Sequence, residues 1–361
     1  MKRTLRLLVL VSAGALALAF AVPALAAYNQ NLELAVQQSS YKPGAAANPG
    51  FLFFSDANND ATAKMKIFSP AGYVNSLTQT PGTTVGQAYA LVKANALGGA
   101  ILPLAGPVVV GNPADPTLQA ASQQCRGTPT NQEILVLNTS LQGQSIQVPD
   151  FLNTAGPYVT QEICLPPPAA AAFQAQVVLA NFTIKGLFTN AATTGAHQWA
   201  GDFTPYAGTV PNPAGTVELR TILGLPSSLT LKRAKSKPSV VKFTGKLAVS
   251  GINVAGIKLR LYYSPSTNPA PNFTNPSKAG ITGKGKVVST KVLKSSGTYS
   301  IVRPKVKKRT YFQMRLEDEW ALKMPTCQGP SPSGLPIPCL EEILAPMTSN
   351  QVKVLPPKKR R

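Results

Sequence analysis

One histidine in 361 residues sets narrow limits on acid–base chemistry in this chain. His197 lies in the run His197-Gln198-Trp199-Ala200-Gly201-Asp202-Phe203. Alternation along a strand puts it on one face with Trp199 and Phe203, the setting of a packed or rim histidine. A Ser-His-Asp arrangement would need it as base, yet no G-x-S-x-G turn is present to display a serine. Ser39 to Lys42 and Ser239 to Lys242 match S-x-x-K, but the companion S-D-N and K-T-G motifs are missing. Paired carboxylates are the other route. Glu317 and Glu319 share a strand face within the densest acidic cluster of a basic region, and Glu341-Glu342 is a second pair. Two residues apart on a strand stand on one wall, whereas glycosidase acids flank a bond from two sides. Charge compensation for nearby Lys and Arg is the simpler account. No catalytic residue is assigned, and the chain is expected not to be an enzyme.

Ligand-holding patterns are equally thin. Asp56-Ala57-Asn58-Asn59-Asp60 has the D-x-N-x-D spacing of calcium loops. Position six is then Ala61 where the sharp turn wants Gly, and position twelve is Ile67 where a bidentate Glu belongs. An Asn/Asp-rich hairpin turn explains the run without a metal. Gly283-x-Gly285 lacks the third glycine of a phosphate-cradling loop and the helix after it. The sequons at Asn138, Asn181 and Asn272 matter only in a eukaryotic secretory route. No metal or cofactor is expected.

The elements that would position any site read as strands. Residues 51–54, 63–68, 108–110, 134–137, 146–148, 177–184, 198–203 and 217–223 are short apolar or alternating segments between Pro, Gly and Asn turns. Gly86 to Leu97 fits strand or helix and is taken as strand from its context. One short helix is expected over 117–124, with Asp115 as N-cap and Pro116 at the first helical position. Further on, Val241, Phe243, Leu247 and Val249 alternate with Lys242, Thr244, Lys246 and Ala248. Ile257, Leu259 and Leu261 alternate with Lys258, Arg260 and Tyr262, and Phe312, Met314 and Leu316 with Gln313 and Arg315. Each strand then has a core face and a polar or basic face.

The first 26 residues read as an export signal. Lys2, Arg3 and Arg6 precede an apolar run from Leu7 to Val22, and Ala24-Leu25-Ala26 supplies the small-x-small cleavage pattern. No later stretch reaches the ~20 apolar residues of a spanning helix, and neither a lipobox cysteine nor a C-terminal sorting motif is evident. In an exported chain, the four cysteines Cys125, Cys164, Cys327 and Cys339 point to two disulfides. Of the three pairings, the local one is expected: Cys125–Cys164 and Cys327–Cys339, each contributing about 3–4 kcal/mol on the loop-closure model. The spacings lack a C-x₂₋₄-C pair for zinc.

Charge divides the chain. Residues 27–227 carry 7 Lys/Arg and 9 Asp/Glu, and residues 228–361 carry 25 and 5. The shift falls at the turn signal Leu225-Pro226-Ser227-Ser228. The expected architecture is all-β: two β-sandwich domains, the second Ig-like, with at most short helices. The divisions are 1–26 signal peptide, 27–227 N-terminal β-sandwich, 228–349 basic Ig-like β-sandwich and 350–361 disordered basic tail.

The second region resembles a known class of module. Thr244-Gly245-Lys246-Leu247, then Val254-Ala255-Gly256-Ile257-Lys258-Leu259, Ser296-Gly297-Thr298-Tyr299-Ser300 and Thr310-Tyr311-Phe312 are similar to bacterial Ig-like and carboxypeptidase-regulatory-like β-sandwiches. The resemblance covers roughly residues 230–325 and implies a module that spaces, presents or binds. The insert from Ser264 to Lys278 and the Cys327–Cys339 extension depart from a minimal module. The first region looks like uncharacterised exported proteins of high-GC Gram-positive bacteria, which implies no function.

The basic surface is the feature that stands above background. Lys242, Lys246, Lys258 and Arg260 are expected to project from neighbouring outward strand faces, and Lys305, Lys307, Lys308 and Arg309 add a dense run. Such a surface concentrates polyanions through salt-sensitive counterion release. The expectation is a non-catalytic secreted or cell-envelope protein held on anionic wall or matrix polymer. Sequence-specific nucleic-acid binding is not expected, because aromatics do not interleave with the basic residues. A carbohydrate-binding protein with Trp199, Tyr158 or Tyr206 as platform is the first alternative, and a secreted hydrolase of unfamiliar type the second.

Overall fold

The computed structural model describes residues 28, 31–141, 143–237, 239–265, 271–272, 282–283, 285–316, 329, 331–334, 339–342, 344 and 346–357. The leader, Glu317, Glu319, Cys327, most of the 264–278 insert and the tail from 358 lie outside the described residues.

The longer strands of the first region are β1 (Leu32–Gln37), β2 (Gly50–Ser55), β3 (Thr62–Phe68), β4 (Thr84–Ala94), β5 (Ala100–Val110) and β6 (Glu133–Leu141). They continue with β7 (Gln144–Ala155), β8 (Tyr158–Cys164), β9 (Ala175–Thr183), β10 (Gly195–Ala207) and β11 (Val217–Leu225). The second region has β12 (Ser227–Ala234), β13 (Val240–Val249), β14 (Lys258–Ser264), β15 (Lys286–Val292), β16 (Thr298–Pro304) and β17 (Thr310–Leu316), followed by β18 (Cys339–Glu342) and β19 (Val352–Val354). The chain is all-β, with sandwich-like packing and one α-helix, α1 (Pro116–Arg126), among the described residues.

A single 13-stranded sheet builds the first region, in the order β1-β2-β9-β4-β5-β6-β7-β8-β3-β10-β11-β18, with Val210–Pro211 pairing β10. Twist carries so long a sheet round on itself. Its two flanks meet where the Thr221 hydroxyl of β11 donates to the Leu34 carbonyl of β1 at 2.6 Å. The enclosed core gathers Leu34, Phe51, Phe53, Met65, Ile67, Leu152, Ile163, Phe203 and Leu219 around the fully buried Trp199. Phe51, Tyr73 and Phe188 meet the Trp199 ring edge-on. Where Gly106 of β5 lies against β6, glycine is required: a Cβ there would stand 1.7 Å from the Asn138 carbonyl oxygen.

Helix α1 forms where the capping residues put it. The Asp115 carboxylate accepts the Thr117 N–H at 2.8 Å, Pro116 opens the helix, and Gly127 closes it in the left-handed region at φ +77°. Its apolar side, Leu118, Ala121 and Cys125, covers Ile134, Val136 and Phe151 on the outside of the large sheet. The Cys125–Cys164 disulfide fastens the helix end to β8. Cys339 is also disulfide-bonded.

The second region is a sandwich of two sheets, β12-β13-β16 against β15-β14-β17 with Met347–Thr348 and β19 pairing β17. Leu231, Phe243, Leu247, Leu259, Leu261, Phe312 and Met314 fill the space between them. The two regions are stitched at several points. Tyr41 packs against both cores. Gly224 of β11 approaches Val249 and Ser250 so closely that a Cβ would stand 2.1 Å from a Val249 methyl. β18 returns from the second half of the sequence to pair in parallel with β11.

Two local expectations are corrected. Asp56 to Asp60 is a turn but not a hairpin turn, because β2 pairs with β1 and β9 while β3 pairs with β8 and β10. The Asp56 carboxylate accepts from the Asn58 backbone and side chain, at 2.9 and 3.0 Å, which is how the turn is held. β13 and β14 are consecutive in sequence but belong to opposite sheets. Lys242 and Lys246 therefore face away from one side of the sandwich and Lys258 and Arg260 from the other. The chain crosses at Gly251 to Gly256 instead of turning back as a hairpin, and alternation within each strand carries no information about that.

Candidate functional sites

Two surfaces have the geometry of a site. The first is a cleft of about 1050 Å³ on the outer face of the large sheet. Strand alternation turns Met65 and Ile67 of β3 into the core and Lys64, Lys66 and Phe68 outward onto the cleft floor. Cross-strand register then sets their neighbours. Lys66 stands between Glu162 of β8 and Asp202 of β10, and Lys64 between Cys164 and Thr204. Lys64 reaches the Glu162 carboxylate at 2.5 Å, Lys66 at 3.5 Å and Arg126 of α1 at 3.4 Å. Burial pushes the Glu162 carboxyl up, but these three cations outweigh it and hold the group below its ordinary value.

Asp202 has the opposite balance. Burial raises its carboxyl and the Glu218 carboxylate on β11 raises it further. Lys66, Arg220 and the Ser333 hydroxyl pull it down, and the outcome is a pKa of about 7. Glu218 itself is buried beside Arg220, whose Nε donates to it, and accepts from the hydroxyls of Ser331 and Ser333. These contacts pin Pro332 and Ser333 as one wall of the cleft. The opposite wall is α1, fixed by its disulfide and by the Lys64 ammonium donating to the Cys125 carbonyl at 3.3 Å. Nothing in the sequence announced the cleft. Lys64 and Lys66 read as the polar side of an ordinary strand, and the register that puts Asp202 beside Lys66 joins segments more than a hundred residues apart.

The second surface is one end of the sandwich. β13 and β16 pair so that Val240 lies opposite Pro304, and the Lys305 N–H donates to the Ser239 carbonyl at 3.3 Å. The β12–β13 turn, with Arg233, Lys235 and Lys237, is thereby set against the β16–β17 connection, with Lys305, Lys307, Lys308 and Arg309. All seven side chains are exposed. Lys242 stands just inside this end opposite Ala234, and Lys353 of β19 reaches it through pairing with Tyr311. Residues 228–316 contain 19 Lys/Arg and not one Asp or Glu. The ion pairs among the described residues all lie in the first region.

Of the expected polyanion-binding residues, the fold brings Lys242, Lys305, Lys307, Lys308 and Arg309 together at this end. Lys246 lies farther along the same outward face. Lys258 and Arg260 are on the opposite sheet, where the Arg315 guanidinium is buried over the Tyr262 ring at 4.2 Å. Arg233, Lys235 and Lys237 were overlooked, although the run Lys232-Arg233-Ala234-Lys235-Ser236-Lys237 between two strands was a sufficient signal.

The other singled-out residues fall elsewhere. His197 is a rim residue whose Nε2 lies 3.1 Å from the Thr193 carbonyl oxygen. Trp199 is fully buried and cannot act as a sugar platform. Tyr206 lines the cleft with its hydroxyl donated to the Leu165 carbonyl at 2.6 Å, and Tyr158 meets Phe68 edge-on. Glu341 is buried opposite Arg220 as part of the β11–β18 pairing. Among the described residues, no group of three or more His, Cys, Asp or Glu is placed to hold a metal ion.

No family model matches the chain, and no curated protein matches it. Among solved structures, the Actinomyces fimbrial adhesin FimA aligns over 90% of this chain and 96% of that chain, with 10% sequence identity and a TM-score of 0.20. A superposition that low carries no inference about fold or function.

Proposed function

We propose that the protein is a non-catalytic secreted or cell-envelope protein whose second sandwich holds it on anionic wall or matrix polymer. The observation that carries this reading is the cationic end built from the β12–β13 and β16–β17 connections, within a stretch that contains no acid. The exposed ammonium and guanidinium groups of this end displace counterions condensed on a polyanion, and their release drives binding. The leader-like N-terminus and the Cys125–Cys164 bond support an oxidising compartment outside the cytoplasm. The polymer class is a flexible chain of repeating phosphates or carboxylates, which needs charge density rather than a shaped pocket.

Retention on immobilised wall polymer tests the reading. With six to ten contacts, affinity should fall about 10³–10⁵-fold between 50 and 200 mM salt. Replacing Lys305, Lys307, Lys308 and Arg309 with Gln should weaken binding and flatten the salt dependence. Equal retention of that variant and the parent at every salt concentration would refute the reading.

A further inference from the structure

The cleft on the first region is a binding site of a different kind, and we propose that it takes a short oligosaccharide bearing a carboxylate. Its floor is the middle of the sheet. β3 is paired on both sides, by β8 and β10, so its backbone groups are already used. An extended peptide cannot add to it by strand pairing, and recognition falls to side chains. Those side chains alternate donors and acceptors at the spacing of adjacent strands: the Lys66 ammonium, the Asp202 carboxyl, and the paired hydroxyls of Thr204 and Thr216 at 2.9 Å. Neighbouring sugar hydroxyls present the matching array.

The walls complete the match. Phe68 and prolines such as Pro149, Pro211 and Pro332 offer C–H and ring surface with no N–H to satisfy. The volume of about 1050 Å³ lies just above the roughly 300–1,000 Å³ typical of small-molecule sites, enough for several sugar rings. The charge sets the acidity of the ligand. Lys64, Lys66 and Arg126 converge on the single carboxylate of Glu162, leaving positive charge for a ligand carboxylate. Both walls are fixed before any ligand arrives, one by the disulfide and one by the Glu218 contacts, so little ordering is required on binding.

The test is calorimetric titration of the full chain with trigalacturonate, and with maltotriose as the neutral counterpart, in 0.5 M salt. At that ionic strength counterion-release binding to the sandwich end is suppressed while a shaped cleft still binds, so the two proposals fail separately. Saturable binding of trigalacturonate is expected, weakened at least tenfold by Lys66→Gln and by Thr204→Val. The Gln quadruple variant of the sandwich end should bind it as the parent does. Asp202 faces Lys66 from β3, Glu218 and Arg220 from β11, and Ser333 from the wall. Its ionisation adds negative charge beside the ligand, so binding should weaken from pH 6 to pH 8, and Asp202→Asn should remove that dependence. No saturable binding, equal binding of maltotriose, or binding indifferent to both cleft variants would each overturn the proposal.

Discussion

Asp150 offers the sharpest quantitative test of the first region. It sits on the core side of β7, opposite Leu135 and Ile163, with neither carboxylate oxygen hydrogen-bonded among the described residues. Burial raises its pKa to about 8, with the Glu162 charge adding to the effect. An unfolded Asp titrates near 3.9. The folded pKa is the higher one, so folding is favoured most below about pH 4, and that stability is lost as the pH rises toward 8. Between pH 5 and pH 8 the loss covers about three pH units at ~1.4 kcal/mol each, about 4 kcal/mol. Glu162 adds little across that window, since its carboxyl is held low in the folded state and an unfolded Glu, with its ordinary pKa near 4.3, is already mostly ionised at pH 5. Asp150→Asn keeps the shape and removes the titration. Urea unfolding followed by tryptophan fluorescence in a Trp320→Phe background reports the core through Trp199. The variant should gain on the parent by about 4 kcal/mol between pH 5 and pH 8, leaving the shallower slope from Asp202. A stability difference that stays constant across that range would refute the reasoning.

Other perturbations test separate parts of the structure. Replacing Cys125 and Cys164 with Ser opens a 39-residue loop and should cost about 4 kcal/mol, read as a lower urea midpoint under non-reducing conditions. Gly106→Ala drives a methyl into the Asn138 carbonyl and should cost about 3 kcal/mol or more, with early hydrogen exchange across the β5–β6 pair. Arg220→Met leaves Glu218 buried without its cation and should cost about 3–5 kcal/mol. Adding Glu218→Gln to it should recover part of the loss, and an equal or larger deficit would show that the pair is not what matters there.

The elements were legible where local chemistry decides them. Asp115 and Pro116 announce the start of α1 by capping alone, while its end at Arg126 fell two residues beyond the expected 124, and the alternation of Lys64-Met65-Lys66-Ile67 announces both the strand and its two faces. The long apolar and proline-containing run of β5 was seen only at its Val108–Val110 end, because Ala100 to Pro107 has weak alternation. Pairing partners were not legible. The cleft depends on β3 lying between β8 and β10, and the dispersal of Lys258 and Arg260 depends on which sheet β14 joins. Both are decided by closure of the whole sheet and by the crossover at Gly251, which are properties of distant contacts. The candidate sites divided the same way. The sandwich end could be read as a charge density, while the cleft required a register.

The two regions should also answer to different solution conditions, and that follows from where their acids are. The first holds buried carboxyls at Asp150 and Asp202 that make it sensitive to pH. Residues 228–316 have no carboxyl to titrate, so between pH 5 and pH 8 those strands supply no comparable lever. The exposed cations clustered at the sandwich end repel one another instead, and salt or a bound polyanion relieves the repulsion. A ligand that binds only the folded sandwich stabilises it by mass action, about 2.7 kcal/mol at a hundredfold excess over Kd. Tyr41, Gly224 and the return of β18 join the two cores directly. Loosening of either core therefore exposes surface on the other. Polymer bound at the sandwich end should slow exchange not only in β13 and β16 but also at the β11 seam, including the Arg220–Glu218 pair that anchors one wall of the cleft.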